Sequence, residues 1–353
     1  MPSIAAAQPP SAETLEAIAD RAAVPVAEAV DAGRIPGAAL GLVTAPGART
    51  VRVFGAAQTV PHLRPADRET VWDLASLTKV LLTTRAVLGL VLDGRVGLDD
   101  PICQHLPDMN HVEPEAPARS ATIRQLLAHA GGLPAWFPLY TYGSDPATLE
   151  AFVLQRLWPK TAPVYSDLGF ILLGILAGRL LGADLADLPV GPGLTLRPDP
   201  ARTAATERCP WRRRVLVGEV HDENAFGLGG VAGHAGLFGT VDGVLTAARA
   251  WLDGSVLPEP AGAAMVAESF EAQAGQATRG LGWQRVHEGW SGGAGHGART
   301  VGHLGFTGTG LWLDPDRGIA WCLLTNRVHP SSHTETGIMA LRRAVGEAVA
   351  AAG

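Results

Sequence analysis

The sequence predicts an α+β fold in which an antiparallel sheet, flanked by helices from both ends of the chain, carries a mainly helical region inserted between its strands. Apolar residues recur at helical spacing near both termini, short apolar segments separated by turns lie just inside those ends, and longer runs of helical period fill the interval. With 353 residues, 47% of them hydrophobic and 18% charged, the chain has a globular composition and enough length for one large or two closely joined domains.

Residues 12–33 have helical spacing and stop at Gly33. GAALGLVT and VRVFGAA then read as two strands joined by a turn at Gly47. From Trp72 the period lengthens, and LASLTKVLLTTRAVLGLVLDG predicts a helix through about residue 93 that ends at Gly94. TIRQLLAHAGGL, DPATLEAFVLQRL and SDLGFILLGILAGRLLG predict further helices, each with Ser, Thr or Asp near its start. GLGGVAGHAGLFGT, residues 227–240, is too rich in glycine for a regular element and reads as a loop that lets backbone approach closely. Helices near 241–253 and 260–269 follow. GLGWQRV, TVGHLGF, GLWLDPDRG and IAWCLLTNR have the pattern of an antiparallel meander, and a helix over about 333–350 closes the chain. The expected division is residues 1–70 plus 246–353 as the sheet region and 71–245 as the helical region, with a cleft between them.

Composition narrows the function. The formal net charge is −6, and the densest basic run, Arg212 to Arg214, is three residues long, which speaks against nucleic acid as a partner. GFILLGILAG, the longest apolar stretch, is broken by Arg179 short of the ~18–20 residues that span a bilayer. The first twenty residues lack the basic and apolar regions of a secretory signal, so a cytoplasmic protein is expected. Cys103, Cys209 and Cys322 are odd in number and lack CxxC spacing, as three free thiols of a reducing compartment do. No residue speaks to the oligomeric state.

The informative stretch is ASLTKV, where Ser76 precedes Lys79, one of only two lysines in the chain, by three positions. On a helix the two share a face, and an amine that can lose its proton can activate the hydroxyl, as a guanidinium cannot. The alternative is a capping serine beside an exposed lysine. The other lysine, Lys160, has no such partner. Tyr165 stands just ahead of a helix with Asp167 two positions on, and a lysine ammonium nearby would push its phenol toward phenolate. His303 and Gly305, in VGHLGFTGTG, read as a donor and an open backbone at a cleft edge; the glycine order is not that of a dinucleotide site.

In this order, S-L-T-K, Y-S-D and H-L-G resemble the three motifs of the serine β-lactamase and penicillin-binding-protein superfamily, most closely its class C branch with esterase, peptidase and amidase relatives. TIRQLLAHAGGLP and GGVAGHAGLFGT are similar to two further segments of that branch, so the likeness runs from about residue 15 to 350. The resemblance implies a β-lactamase-like fold and a serine hydrolase that passes through an acyl-enzyme on an ester, amide or peptide bond, a cell-wall-derived fragment or a β-lactam among the candidates. It implies Ser76 as nucleophile, Lys79 as its proton partner, Tyr165 as general base, and the backbone N–H groups of Ser76 and Phe306 as the oxyanion hole. Asp167, His303, Gly305 and His221 are the expected substrate-binding residues, the substrate is a small or peptide-like molecule, and neither cofactor nor metal is implied.

Two positions depart from the pattern. Asp167 stands where the family usually has Asn, and an ionised carboxylate accepts hydrogen bonds but donates none to a substrate carbonyl. His303 replaces a lysine, and an imidazole is mostly neutral at pH 7. A binder or sensor that acylates slowly or not at all, and an acyltransferase, are the alternatives to a hydrolase. His221, Asp222 and Glu223, with His234, invite a metal but match no familiar zinc spacing. His129 is expected to bond the loop after its own helix, and Trp136, Phe137 and Tyr140 either line an apolar acyl pocket or belong to the core.

Overall fold

The computed structural model describes residues 9–351 apart from 112, 115, 274 and 275. The reading of the first eight residues lies outside it.

A seven-stranded antiparallel sheet forms the frame, in the order Arg64–Pro65, Arg49–Gln58, Gly37–Thr44, Ile319–Thr325, Gly310–Asp314, Val301–Leu304 and Gln284–Arg285. The first strand of the chain and the last pair at its centre, from Ala38 opposite Thr325 to Thr44 opposite Ile319. Both strands are buried along their whole length, because helices cover the sheet on both faces.

Side-chain alternation separates the two faces. Leu40 and Leu42 point toward the N-terminal helix Ala12–Asp31 and the C-terminal helix Ile338–Ala350, which pack on each other and enclose Leu15, Ile18, Val26, Val345, Trp312 and Trp321. Ala39 and Val43 point the other way, into the main core, with the helix Val241–Leu252 and the helical region. The N-terminal helix begins where the Ser11 hydroxyl accepts the Thr14 N–H. The C-terminal helix begins at Ile338, later than the expected residue 333, after Gly337 in a left-handed conformation. Of GLGWQRV only Gln284–Arg285 is strand.

The inserted region is less helical than expected. The buried helix Asp167–Leu181 and the helix Pro146–Gln155 are present, each capped by the preceding Ser166 or Asp145. Residues 183–240, however, hold only one-turn helices and two-residue strands, since the prolines and glycines of LPVGPGLTLRPDP and the Gly-rich loop interrupt any longer run. One stretch, 75–92, is apolar and long enough by length and composition to cross a membrane, with mean hydropathy 1.5, which the sequence reading passed over; 67% of it is buried within the fold.

Candidate active site

The segment around Ser76 is not the regular helix its spacing predicts. Ala75–Leu77 forms a 3₁₀ turn, Lys79–Thr84 a wide π turn, and only Arg85–Leu92 is α-helical. Tertiary hydrogen bonds replace the missing regularity. The buried Asp73 carboxylate accepts the Ala75 N–H at 2.8 Å and the His221 N–H at 2.7 Å, and the Thr78 hydroxyl donates to the Ala75 carbonyl at 2.6 Å. They hold Ala75 at φ +48°, a left-handed conformation that costs a non-glycine residue about 1 kcal/mol or more, and so present Ser76 to the cleft.

Lys79 is fully buried, and its Nζ lies 3.0 Å from Ser76 Oγ, 2.7 Å from Asp167 Oδ1 and 3.2 Å from the His234 carbonyl. The ammonium donates to the Ser76 hydroxyl and the His234 carbonyl, and Asp167 balances its charge. Burial disfavours that charge, but Asp167 and then Tyr165 outweigh it and hold the ammonium above its ordinary value.

Tyr165 stands over the same group, its ring centre 4.9 Å from Lys79 Nζ, with hydrogen bonds to Lys79 and Ser76. Contrary to expectation, its phenol is pushed up, away from phenolate. Burial is the main cause, and the Asp167 charge adds to it against the pull of Lys79. His129 lies tilted against this ring, with the ring centres 4.4 Å apart, and accepts the Ser166 N–H through Nδ1 at 3.0 Å. It therefore fixes the Tyr165 segment and not the loop after its own helix; its φ of +56° ends that helix and turns the side chain across.

The third wall is the strand Val301–Leu304 and the corner after it. His303 donates through Nδ1 to the Leu304 carbonyl at 3.0 Å, and its buried Nε2 has no partner among the described residues. Burial, with Lys79 and Arg279 nearby, holds it well below the ordinary histidine value, so it is neutral at pH 7. A Cβ at Gly305 would stand 2.0 Å from Thr309 Oγ1 and 2.7 Å from the Leu74 carbonyl, so only glycine brings this corner against the nucleophile turn. The Arg342 side chain reaches it from the C-terminal helix and donates to the carbonyls of Gly305 and Thr309 at 2.8 and 2.6 Å. Phe306, 56% exposed, lies between the His221 ring at 5.5 Å and the Arg327 guanidinium at 4.8 Å.

These groups surround a cleft of about 1050 Å³ lined by Ser76, Tyr165, Asp167, His221, His303 and Gly305, with Phe306 beside them and Lys79 buried beneath. Every site residue singled out in the sequence is thus at one place. Sequence reasoning missed Asp73, Arg279 and Arg342; nothing in their spacing marks them, and Arg279 sits just ahead of a segment read only as strand. The three crowded aromatics separate: Trp136 lines the cleft, Phe137 packs against Phe152 and Trp158, and Tyr140 against Trp211.

The acidic and histidine cluster also divides. His221 pairs with Glu207 at 3.0 Å, whereas His234 pairs with Asp222 at 2.8 Å. Ligand atoms of Asp167, Asp222 and His234 lie within 4.8 Å of one another. Each is already balanced by protein, Asp167 by the Lys79 ammonium and Asp222 by His234 and the Ala225 N–H, so these donors fit a lysine better than a metal ion.

A serine paired with a buried lysine and a tyrosine, in a cleft between sheet and helices, defines the class of serine hydrolases that work through an acyl-enzyme. The chain belongs to the Beta-lactamase family, whose model matches residues 25–345. It is 31% identical over 310 residues to the N-acetylmuramyl-L-alanine amidase of Bacillus subtilis (strain 168), covering 75% of this chain and 70% of that protein. It is also 31% identical over 304 residues to a protein of Escherichia coli (strain K12) described as a candidate D-alanyl-D-alanine carboxypeptidase, covering 74% and 70%. Among solved structures, "EstCE1, a hydrolase with promiscuous acyltransferase activity" superposes with a TM-score of 0.73 at 20% identity over 96% of this chain and 100% of that one, a likeness of fold.

Proposed function

We propose that the protein hydrolyses an amide or peptide bond of a cell-wall-derived fragment, with Ser76 as the acylated nucleophile. The observation that carries this reading is the Ser76 Oγ to Lys79 Nζ contact of 3.0 Å at the floor of an open cleft.

The proton path follows from the charges. Neither Lys79 nor Tyr165 is deprotonated at rest, so the basic group is the Lys79–Asp167 pair: as Ser76 attacks, its proton passes to Nζ while Nζ yields one to Asp167 Oδ1. The carbonyl oxygen gains the negative charge and is met by the N–H groups of Ser76 and Phe306. Tyr165 donates its proton to the leaving nitrogen and recovers one from Lys79. The C–N bond breaks and the acyl group stays on Ser76. Water then repeats the sequence in place of the amine, and no net proton is left on the protein.

An amide substrate is supported by the activities for which the two relatives are named. Asp167, with no N–H to offer, argues against β-lactams whose side-chain amide seeks a donor there. The reading also assigns the protein to the cytoplasm, supported by Cys103, Cys209 and Cys322, none of which forms a disulfide; recovery from a periplasmic fraction would overturn that assignment.

The test is turnover of p-nitrophenyl butyrate and of a muramyl-peptide fragment by wild type and Ser76→Ala, with intact mass recorded. An acyl mass on the wild type, and loss of both activities in the variant, are expected. Equal rates in both proteins would refute the nucleophile, and a wild type that binds fragments without turnover would make it a binding protein.

A further inference from the structure

His303 lines the cleft with one ring nitrogen spent and the other unanswered. Its Nδ1 lies 3.0 Å from the Leu304 carbonyl, and a carbonyl oxygen can only accept, so Nδ1 carries the hydrogen. A second hydrogen would make the ring a cation, which burial and, after it, the nearby Lys79 and Arg279 disfavour. Nε2 is therefore a bare acceptor. It is buried and has no partner among the described residues, on a side chain that lines the cleft with Ser76 and Tyr165. The motif predicts a donor at this place; the structure puts an acceptor there.

A buried acceptor left unmet is costly. The Tyr165 hydroxyl does not meet it: that ring is the neighbour of His303, with centres 5.9 Å apart, but its hydroxyl bonds Lys79 and Ser76. His129 Nε2 is the other imidazole atom of this wall without a partner, and it is a donor, since Nδ1 of that ring accepts the Ser166 N–H. His129, however, does not line the cleft.

We propose that His303 Nε2 accepts the N–H of the scissile bond, which makes this a site for secondary amides. The place follows from Tyr165, which in the reading above protonates the departing nitrogen. A secondary amide nitrogen carries one hydrogen of its own. An acceptor beside the phenol that takes this hydrogen turns the nitrogen lone pair, freed as the carbonyl carbon becomes tetrahedral, toward the Tyr165 O–H. The phenol proton passes to that lone pair, the C–N bond breaks with its electrons going to nitrogen, and the acyl group stays on Ser76. His303 gives and takes no proton. Its hydrogen bond strengthens as the nitrogen gains positive charge, so the contact counts most in the transition state. An ester or a tertiary amide, the ring nitrogen of a β-lactam included, has no hydrogen at that atom and leaves Nε2 unmet.

This rests on Ser76 and Tyr165 acting as described above. The test is kcat/KM, which reports the steps through acylation, for the p-nitroanilide and the p-nitrophenyl ester of N-acetyl-alanine, in L and D forms, with wild type, His303→Leu and His303→Gln. In His303→Leu at least one anilide is expected to lose about tenfold or more beyond the loss of its ester. His303→Gln, whose side-chain carbonyl still accepts, should recover part of that difference. Melting temperatures confirm folding. Nitrogen NMR spectra of the wild-type imidazoles, with the His303 signal assigned by its loss in the leucine variant, should show Nδ1 protonated and Nε2 bare. Anilide and ester losses within about twofold of each other, as a ring that only holds Leu304 would give, an ester cleaved while both anilides resist, or a proton on Nε2 would overturn the proposal. Turnover that persists in Ser76→Ala is the distinct sign that the reading of the nucleophile has failed.

Discussion

Lys79 brings the chemistry down to one nitrogen held among Ser76, Asp167 and the His234 carbonyl. A guanidinium in its place can satisfy some of those contacts but cannot give up and regain a proton, so Lys79→Arg is expected to lower kcat by about 10²–10⁴-fold. Stopped assays on folded variant with rates near wild type would exclude the role. Asp167 gives a sharper test. In the proposed path Asp167 takes a proton from Lys79 as Ser76 attacks, so the site works with Lys79 charged. With Asp167→Asn the amine must lose its proton to bulk before it can act, so the ascending limb of kcat against pH moves to higher pH. An unmoved limb would show that Asp167 is not the proton acceptor.

At the scale of elements, three short pieces meet: the strained turn at Ala75, the start of the helix Asp167–Leu181, and the corner after the strand Val301–Leu304. The corner depends on the missing Cβ of Gly305, and backbone cannot move aside as a flexible side chain can. Gly305→Ala is therefore expected to displace the Phe306 N–H and cost about 10²–10³-fold in kcat, the usual loss for one oxyanion donor, with near-wild-type circular dichroism. A kcat within twofold of wild type would show that the corner tolerates the shift. The loop at 227–240 depends on the same economy, since a Cβ at Gly233 would lie 1.9 Å from the Phe170 carbonyl, and the loop carbonyls at 233 and 234 bond Thr83 and Lys79. The N-terminal helix stands away from the cleft and contributes by packing against the sheet. Ile18, fully buried, is expected to cost about 2–5 kcal/mol when cut to alanine, read by denaturant unfolding, with little change in KM.

Across the whole molecule, Glu207 ties distant segments together: its carboxylate pairs with His221 at 3.0 Å and accepts the Ser332 N–H and hydroxyl at 2.9 and 2.6 Å. Burial opposes the charge, yet these partners lower the Glu207 carboxyl to about 2 and raise the His221 imidazole. The depressed carboxyl contributes stability above its unfolded value near 4.5 that is lost as pH falls toward 2. The raised imidazole contributes below its unfolded value near 6.5, and that part fades as pH rises through the folded value. Glu207→Gln should therefore lower Tm most near pH 5.5 and less at pH 3 and pH 9. A pH-independent loss would mean that the pair acts by shape alone.

The sequence by itself determined the class of fold and marked the candidate site residues. Strand and helix periods reflect local burial, GAALGLVT being strand at its predicted bounds, and Ser76, Lys79, Tyr165 and His303 stand in motifs short enough to read along the chain. Tertiary structure decided their charge states. The rise of the Tyr165 phenol comes from burial and from the Asp167 carboxylate, and His303 is neutral because burial and, after it, the nearby Lys79 and Arg279 disfavour its charge. It also decided the supports at Asp73 and Arg342, and it replaced a predicted helix by a strained turn at Ala75. Spacing reports what a segment does alone. A charge state and an imposed φ are set by atoms that arrive from far along the chain, and the Asp73 carboxylate that holds His221 reaches 148 residues to do so.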